Sequence, residues 1–172
     1  MKKAVCVALL LLLAATAGVF AEVGVGVSAG YPVYFLMDYG FEPEAIFAGA
    51  SMRWRPSLFQ LDGGFSLMLG GGLAYGFLDA GLCFDLLFLR FALGAGVDFV
   101  SWYSAELGLN LRTSLDLKFG PVSLGMSGAV PLDALLDLLR GKDISNDLRV
   151  LACQPTLNLI FWFGHSSKSR RR

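Results

Sequence analysis

The sequence predicts an all-β protein, an eight-stranded antiparallel up-and-down transmembrane β-barrel with a short helix in its last long loop. Three observations carry that expectation. Segments of about ten residues alternate between apolar and polar side chains, the period-two signature of strands. The chain is 55% hydrophobic with 14 Phe and 21 Gly. Yet beyond its N-terminal leader no stretch reaches the ~18 uninterrupted apolar residues that a spanning helix needs. Finally, the polar parity is made mostly of Gly, Ser and Ala, whereas the apolar parity carries Phe, Leu, Val and Trp.

Lys2 and Lys3 precede an apolar run from Ala4 to Ala17, and Val19-Phe20-Ala21 offers a cleavage site. This reads as a secretory signal peptide over residues 1–21, because the apolar core is short for a bilayer and is followed directly by the cleavage site. Cys6 lies within that core, with no cysteine at the cleavage point to take a lipid. The expected barrel occupies residues 22–163, and a basic periplasmic tail occupies 164–172. Cys83 and Cys153 are too few for a disulfide-stapled secreted domain.

The strands follow by parity. In 23–33 the apolar set is odd, from Val23 to Val33, against Gly24, Gly26, Ser28 and Gly30. In 46–54 it is even, against Phe47, Gly49, Ser51 and Arg53. In 59–69 it is odd again, against Gln60, Asp62, Gly64 and Ser66. The least regular segment, 77–85, sets Leu78, Ala80, Leu82 and Phe84 against Asp79, Gly81, Cys83 and Asp85. Segment 89–99 sets Leu89, Phe91, Leu93 and Val97 against Arg90, Gly94, Gly96 and Asp98. Segment 107–119 is apolar at odd positions except Thr113, with Asn110, Arg112, Ser114, Asp116 and Lys118 between. The last two segments are 122–130 and 151–163. Connections alternate between short turns and longer, more variable loops, the pattern of an outer-membrane barrel with both termini on the short-turn side.

A soluble, lipocalin-like binding barrel also alternates, with its apolar face inward. Such a barrel would show Lys and Glu on its water-exposed face. Here bulky apolar residues on every strand would overfill so narrow an interior. Small residues inside and bulky ones outside suit lipid, so a place in the bacterial outer membrane is expected.

The final segment, Leu157-Asn158-Leu159-Ile160-Phe161-Trp162-Phe163, resembles the C-terminal assembly signal of bacterial outer-membrane barrels. The chain from Glu22 to Phe163 is similar in architecture to small eight-stranded OmpA-type and OmpW-type barrels. The resemblance implies recognition by the outer-membrane assembly machinery through Phe161 and Phe163. It departs from the usual pattern in the nine residues that follow Phe163.

Hairpin register places Arg53 opposite Asp62 and Asp85 opposite Arg90, all inward, with Arg112, Asp116 and Asp79 nearby. A lumenal ion-pair network is expected, either as a structural pairing of buried charge or as a gate whose opening passes small ions. Asp98 and Glu106 also face inward, toward the loop end, too few for a cation site alone. Leu132, Leu135, Leu136 and Leu139 recur at helical spacing between Asp133 and Gly141. They form either a rim-packing helix or a lid over an entrance for a small hydrophobic ligand, as an OmpW-like carrier would have.

No Ser/His/Asp or Cys/His grouping is present, and His165 stands alone in the tail. Neither an enzyme, a metal centre nor a cofactor is expected. Gly24-x-Gly26 and Gly94-x-Gly96 precede no helix and are not nucleotide fingerprints. Equal numbers of acidic and basic residues, with Lys168 and Arg170–Arg172 confined to the tail, give no sign of a nucleic-acid partner.

Overall fold

The computed structural model describes residues 21–101, 105–141 and 153–164. Its strands are β1 (Glu22–Gly30), β2 (Phe47–Arg55), β3 (Phe59–Met68), β4 (Ala74–Leu86), β5 (Leu89–Ser101), β6 (Ala105–Phe119), β7 (Val122–Pro131) and β8 (Thr156–Phe163). Two helices join them, α1 (Val33–Asp38) between β1 and β2 and α2 (Leu132–Leu139) between β7 and β8. Each strand pairs antiparallel with its sequence neighbour, and β1 pairs with β8 to close the barrel.

The wall has its large apolar side chains on the outside. Val25 and Val27 of β1, Phe65 and Leu67 of β3, Leu78 and Leu82 of β4 and Leu107, Leu109 and Leu115 of β6 are all exposed. On the alternate positions of the strands, Arg53, Asp62, Asp79, Arg90, Arg112 and Asp116 are buried. That is the reverse of a soluble barrel, whose apolar side chains fill the interior.

Element boundaries depart from the parity reading where proline or inward aromatics intervene. The first strand, expected to reach Val33, stops at Gly30. Beyond it the Tyr31 N–H donates to the Pro155 carbonyl and the Val33 N–H to the Cys153 carbonyl. Pro32 and Pro155 have no N–H to extend the ladder. The chain then turns into α1, which sequence alternation had masked. The same prolines start β8 at Thr156, later than the expected 151; residues 151 and 152 lie outside the described ones. Strand β4 begins at Ala74, ahead of the expected 77, with Tyr75 and Phe77 turning aromatic rings inward and the Phe99 ring covering Gly76 on the outer face.

The two ends differ. At one, short turns join β2–β3, β4–β5 and β6–β7, and Gly120 adopts φ +64° to make the last of them. At the other, Phe47, Leu73, Tyr75 and Val100 form a buried apolar cluster, with Phe35, Met68 and Phe77 packed on it. This cluster plugs the loop-end mouth. Helix α2 leans on β6 and β7, with Leu132 and Leu135 half-buried and Leu136 and Leu139 exposed. Gly141 follows it at φ +73°, a left-handed conformation that ends helices.

The closing seam depends on glycine. A Cβ at Gly24 would lie 2.7 Å from Ile160 Cγ2 and 3.0 Å from Trp162 Cε3, the two large inward side chains of β8. Gly24→Leu is therefore expected to abolish the compact, heat-resistant band of the refolded protein on unheated gels. An unchanged band would show that the seam accommodates a side chain there.

Candidate functional site

Eight strands enclose an interior just wide enough for side chains, and this one is filled with charge. At the turn end, Asp85 is the hub. Its Oδ1 accepts from Arg90 Nε at 2.8 Å, and its Oδ2 accepts from Arg55 Nη1 at 2.8 Å and Lys118 Nζ at 3.0 Å. Glu22 adds a second carboxylate, accepting from Arg90 Nη2 at 2.6 Å, with Arg55 Nη1 at 3.5 Å. The Arg90 guanidinium also lies 4.2 Å from the centre of the Trp162 ring, whose Nε1 donates to Ser123 Oγ at 2.8 Å. Arg90 thus has carboxylates in its plane and an aromatic face against it, the two partners that guanidinium geometry favours.

The middle of the lumen is held by Arg53. Its Nε is 3.0 Å from Asp62 Oδ2 and its Nη1 donates to Asp116 Oδ2 at 2.5 Å. Arg53 and Asp116 are essentially inaccessible to solvent. Above them Arg112 donates from Nε to Asp79 Oδ2 at 2.5 Å and from Nη2 to the Tyr75 hydroxyl at 2.7 Å. The Phe77 ring lies 3.5 Å from the guanidinium carbon of Arg112.

All seven charged positions singled out from the sequence therefore meet partners inside the barrel. Arg53–Asp62 and Asp85–Arg90 are cross-strand neighbours in the register. Asp116 stands beside Arg90 in register but pairs with Arg53 on β2, four strands away. Glu22 on β1 and Arg90 on β5 are likewise four strands apart. In an eight-stranded ring those two pairs join opposite walls.

Sequence reasoning left out Glu22, Arg55, Tyr75 and Trp162, and gave Lys118 no partner. Each sits on the inward parity of its strand: Trp162 and Lys118 lie within the expected segments, and the same alternation extended by one or two residues reaches Glu22, Arg55 and Tyr75. Of the expected mouth positions, Leu132 and Leu135 are half-buried on α2, while Leu136 and Leu139 are exposed. Asp98 is buried on β5, and Glu106 is half-buried on β6. Among the described residues no three His, Cys, Asp or Glu side chains converge as a metal centre. His165 and the Arg170–Arg172 tail lie outside the described residues.

Among the described residues, two small cavities border Arg112. The first, about 20 Å³, is bounded by Gln60, Asp62, Asp79 and Ser114. The second, about 10 Å³, lies toward the loop end among Ser28, Tyr75, Phe77, Gln154 and Asn158. The Arg112 side chain borders both.

In fold the chain is similar to the N-terminal β-barrel domain of Pseudomonas aeruginosa OprF, with a TM-score of 0.48 and 13% sequence identity over 83% of this chain and 97% of that one. No family model matches the chain, and no curated protein matches it.

The network yields an asymmetric prediction. Arg53→Met leaves both Asp62 and Asp116 without their guanidinium and is expected to cost about 3–5 kcal/mol, as stranding a buried charge does. Asp116→Leu leaves Arg53 its Asp62 partner and is expected to cost clearly less. Urea unfolding of the refolded protein, read by circular dichroism, ranks the two.

Proposed function

We propose that this chain is an integral outer-membrane barrel, exported through a cleaved leader, that anchors itself in lipid and presents its loop end at the cell surface. The observation that supports this reading best is the inverted wall, with exposed Leu, Phe, Val and Met outside and buried Arg, Asp, Ser and Gly inside. An exposed apolar band around a closed barrel is stable only in an apolar solvent, where closure also satisfies every strand edge. On β8, Phe161 and Phe163 are exposed on the outer face. There they are available to lipid and, as the resemblance of this strand to an assembly signal implies, to the assembly machinery.

The role in this reading is structural or surface-presenting, without catalysis. Among the described residues, a lumen crossed by ion pairs and plugged at the loop end offers no continuous path to bulk solute. It also gives a small hydrophobic ligand little apolar lining, which makes the carrier reading the weaker one. A narrow, gated permeability is the second reading, and it is favoured by the position of Arg112 between the two cavities. Releasing Arg112 from Asp79 and Tyr75 would join them.

Two measurements test these readings. The refolded protein should stay with membranes through carbonate and urea washes, and release into the wash would overturn the membrane assignment. In planar bilayers the wild type should be nearly silent and Arg112→Ala should conduct at least several-fold more. Equal currents from the two would remove the gate and leave the structural role.

A further inference from the structure

The cavity bounded by Gln60, Asp62, Asp79 and Ser114 has an oxygen-only demand that the protein leaves unanswered. Among the side chains lining it, Gln60 Oε1, Asp62 Oδ1, Asp79 Oδ1 and Ser114 Oγ are all buried and lack a hydrogen-bond partner. Gln60 and Ser114 are each only 4% exposed, so bulk water does not serve them. Buried polar atoms are almost always partnered, and those left over call for an occupant. The hollow exists because Gly81, Ala92 and Gly94 supply no side chain to fill it. Register brings its walls together, with Gln60 beside Gly81, Asp62 beside Asp79, Ser114 beside Ala92 and Arg112 beside Gly94.

The unpartnered atoms decide the kind of occupant. Around this part of the lumen three carboxylates, Asp62, Asp79 and Asp116, face two guanidiniums, Arg53 and Arg112. Arg112 borders the cavity, but its Nε and Nη2 are already committed to Asp79 Oδ2 and the Tyr75 hydroxyl. The third carboxylate is balanced from the turn end, where Arg55, Arg90 and Lys118 face only Glu22 and Asp85 and Arg90 stands beside Asp116 in register; the cavity's own orphaned atoms are all oxygens. A volume of about 20 Å³ admits one water-sized occupant. Unpartnered carboxylate, amide and hydroxyl oxygens suit a hard cation. Three converging acidic or imidazole ligands, as a divalent centre would use, are absent among the described residues.

We propose that this cavity binds a single alkali cation, with Na⁺ fitting its size, through Gln60, Asp62, Asp79 and Ser114. The ion gives these buried oxygens a partner and stabilises the closed barrel. Nothing in this depends on conduction or on the surface role, so a barrel that never conducts would still carry the site.

The test is thermal unfolding of the refolded protein, read by gel mobility and circular dichroism. It is run in NaCl and in choline chloride at equal ionic strength and at fixed pH. Na⁺ at about tenfold over its Kd should raise the midpoint by roughly 3–6 °C. Gln60→Leu and Ser114→Ala, which remove neutral groups and leave the ion pairs intact, should each reduce that difference. Soaking crystals in Tl⁺ should then place an anomalous peak in the cavity. Equal midpoints in the two salts would overturn the proposal and assign the cavity to a water molecule. A midpoint that responds to pH but not to Na⁺ would overturn it in favour of a shared proton. A Na⁺ effect that both variants retain would place the ion elsewhere.

Discussion

The Arg53–Asp116 pair joins β2 to β6 across the full width of the interior, and much of the structure is arranged around making such a pair tolerable. Two charges withdrawn from water are stable only with close, well-aligned partners. Arg53 meets that condition by holding Asp62 on its own hairpin and Asp116 on the far wall at once. The small residues of the inner face follow from it. A Cβ at Gly125 would collide with Asp116 Oδ1, and one at Gly96 would collide with Asp79 Oδ1. The glycines that look like weak strand formers are the space in which buried carboxylates sit.

The same arrangement divides the interior by chemistry. The turn end gathers Glu22, Arg55, Asp85, Arg90 and Lys118 into one cluster, where half-exposed groups can still be solvated. The loop end is closed by aromatic and aliphatic packing, with the Tyr75 hydroxyl reaching from that plug down to Arg112. Tyr75 therefore couples the mouth to the ion-pair ladder. A displacement of the plug would reach Arg112, and through it Asp79, without any change in the wall. This gives the gated reading a physical route while leaving the anchoring role independent of it.

Most of the wall was legible in the sequence because a strand's side chains can take only two directions. Once Leu107 to Phe119 alternates, Arg112 and Asp116 have to share a face. The misreadings arose where that rule is locally suspended. Tyr75 and Phe77 hid the start of β4, since an aromatic ring is apolar yet here points inward to meet a guanidinium. Pro32 and Pro155 removed donors from a stretch whose parity still looked like strand. Helix α1 was hidden for the same reason, whereas α2 was visible because four leucines at helical spacing lie outside any alternation.

What the sequence determined by itself was the direction of each side chain and the neighbours it meets within a hairpin. Parity and turn position set Arg53 beside Asp62 and Asp85 beside Arg90, and both are local geometry. Only the tertiary structure decided that Arg53 also meets Asp116, that Glu22 meets Arg90, and that Arg112 rather than either of those arginines separates the two cavities. Those partners lie on strands two or four places apart, brought together when β1 pairs with β8. Closure couples the tilt and stagger of all the strands at once, and no single segment carries that information.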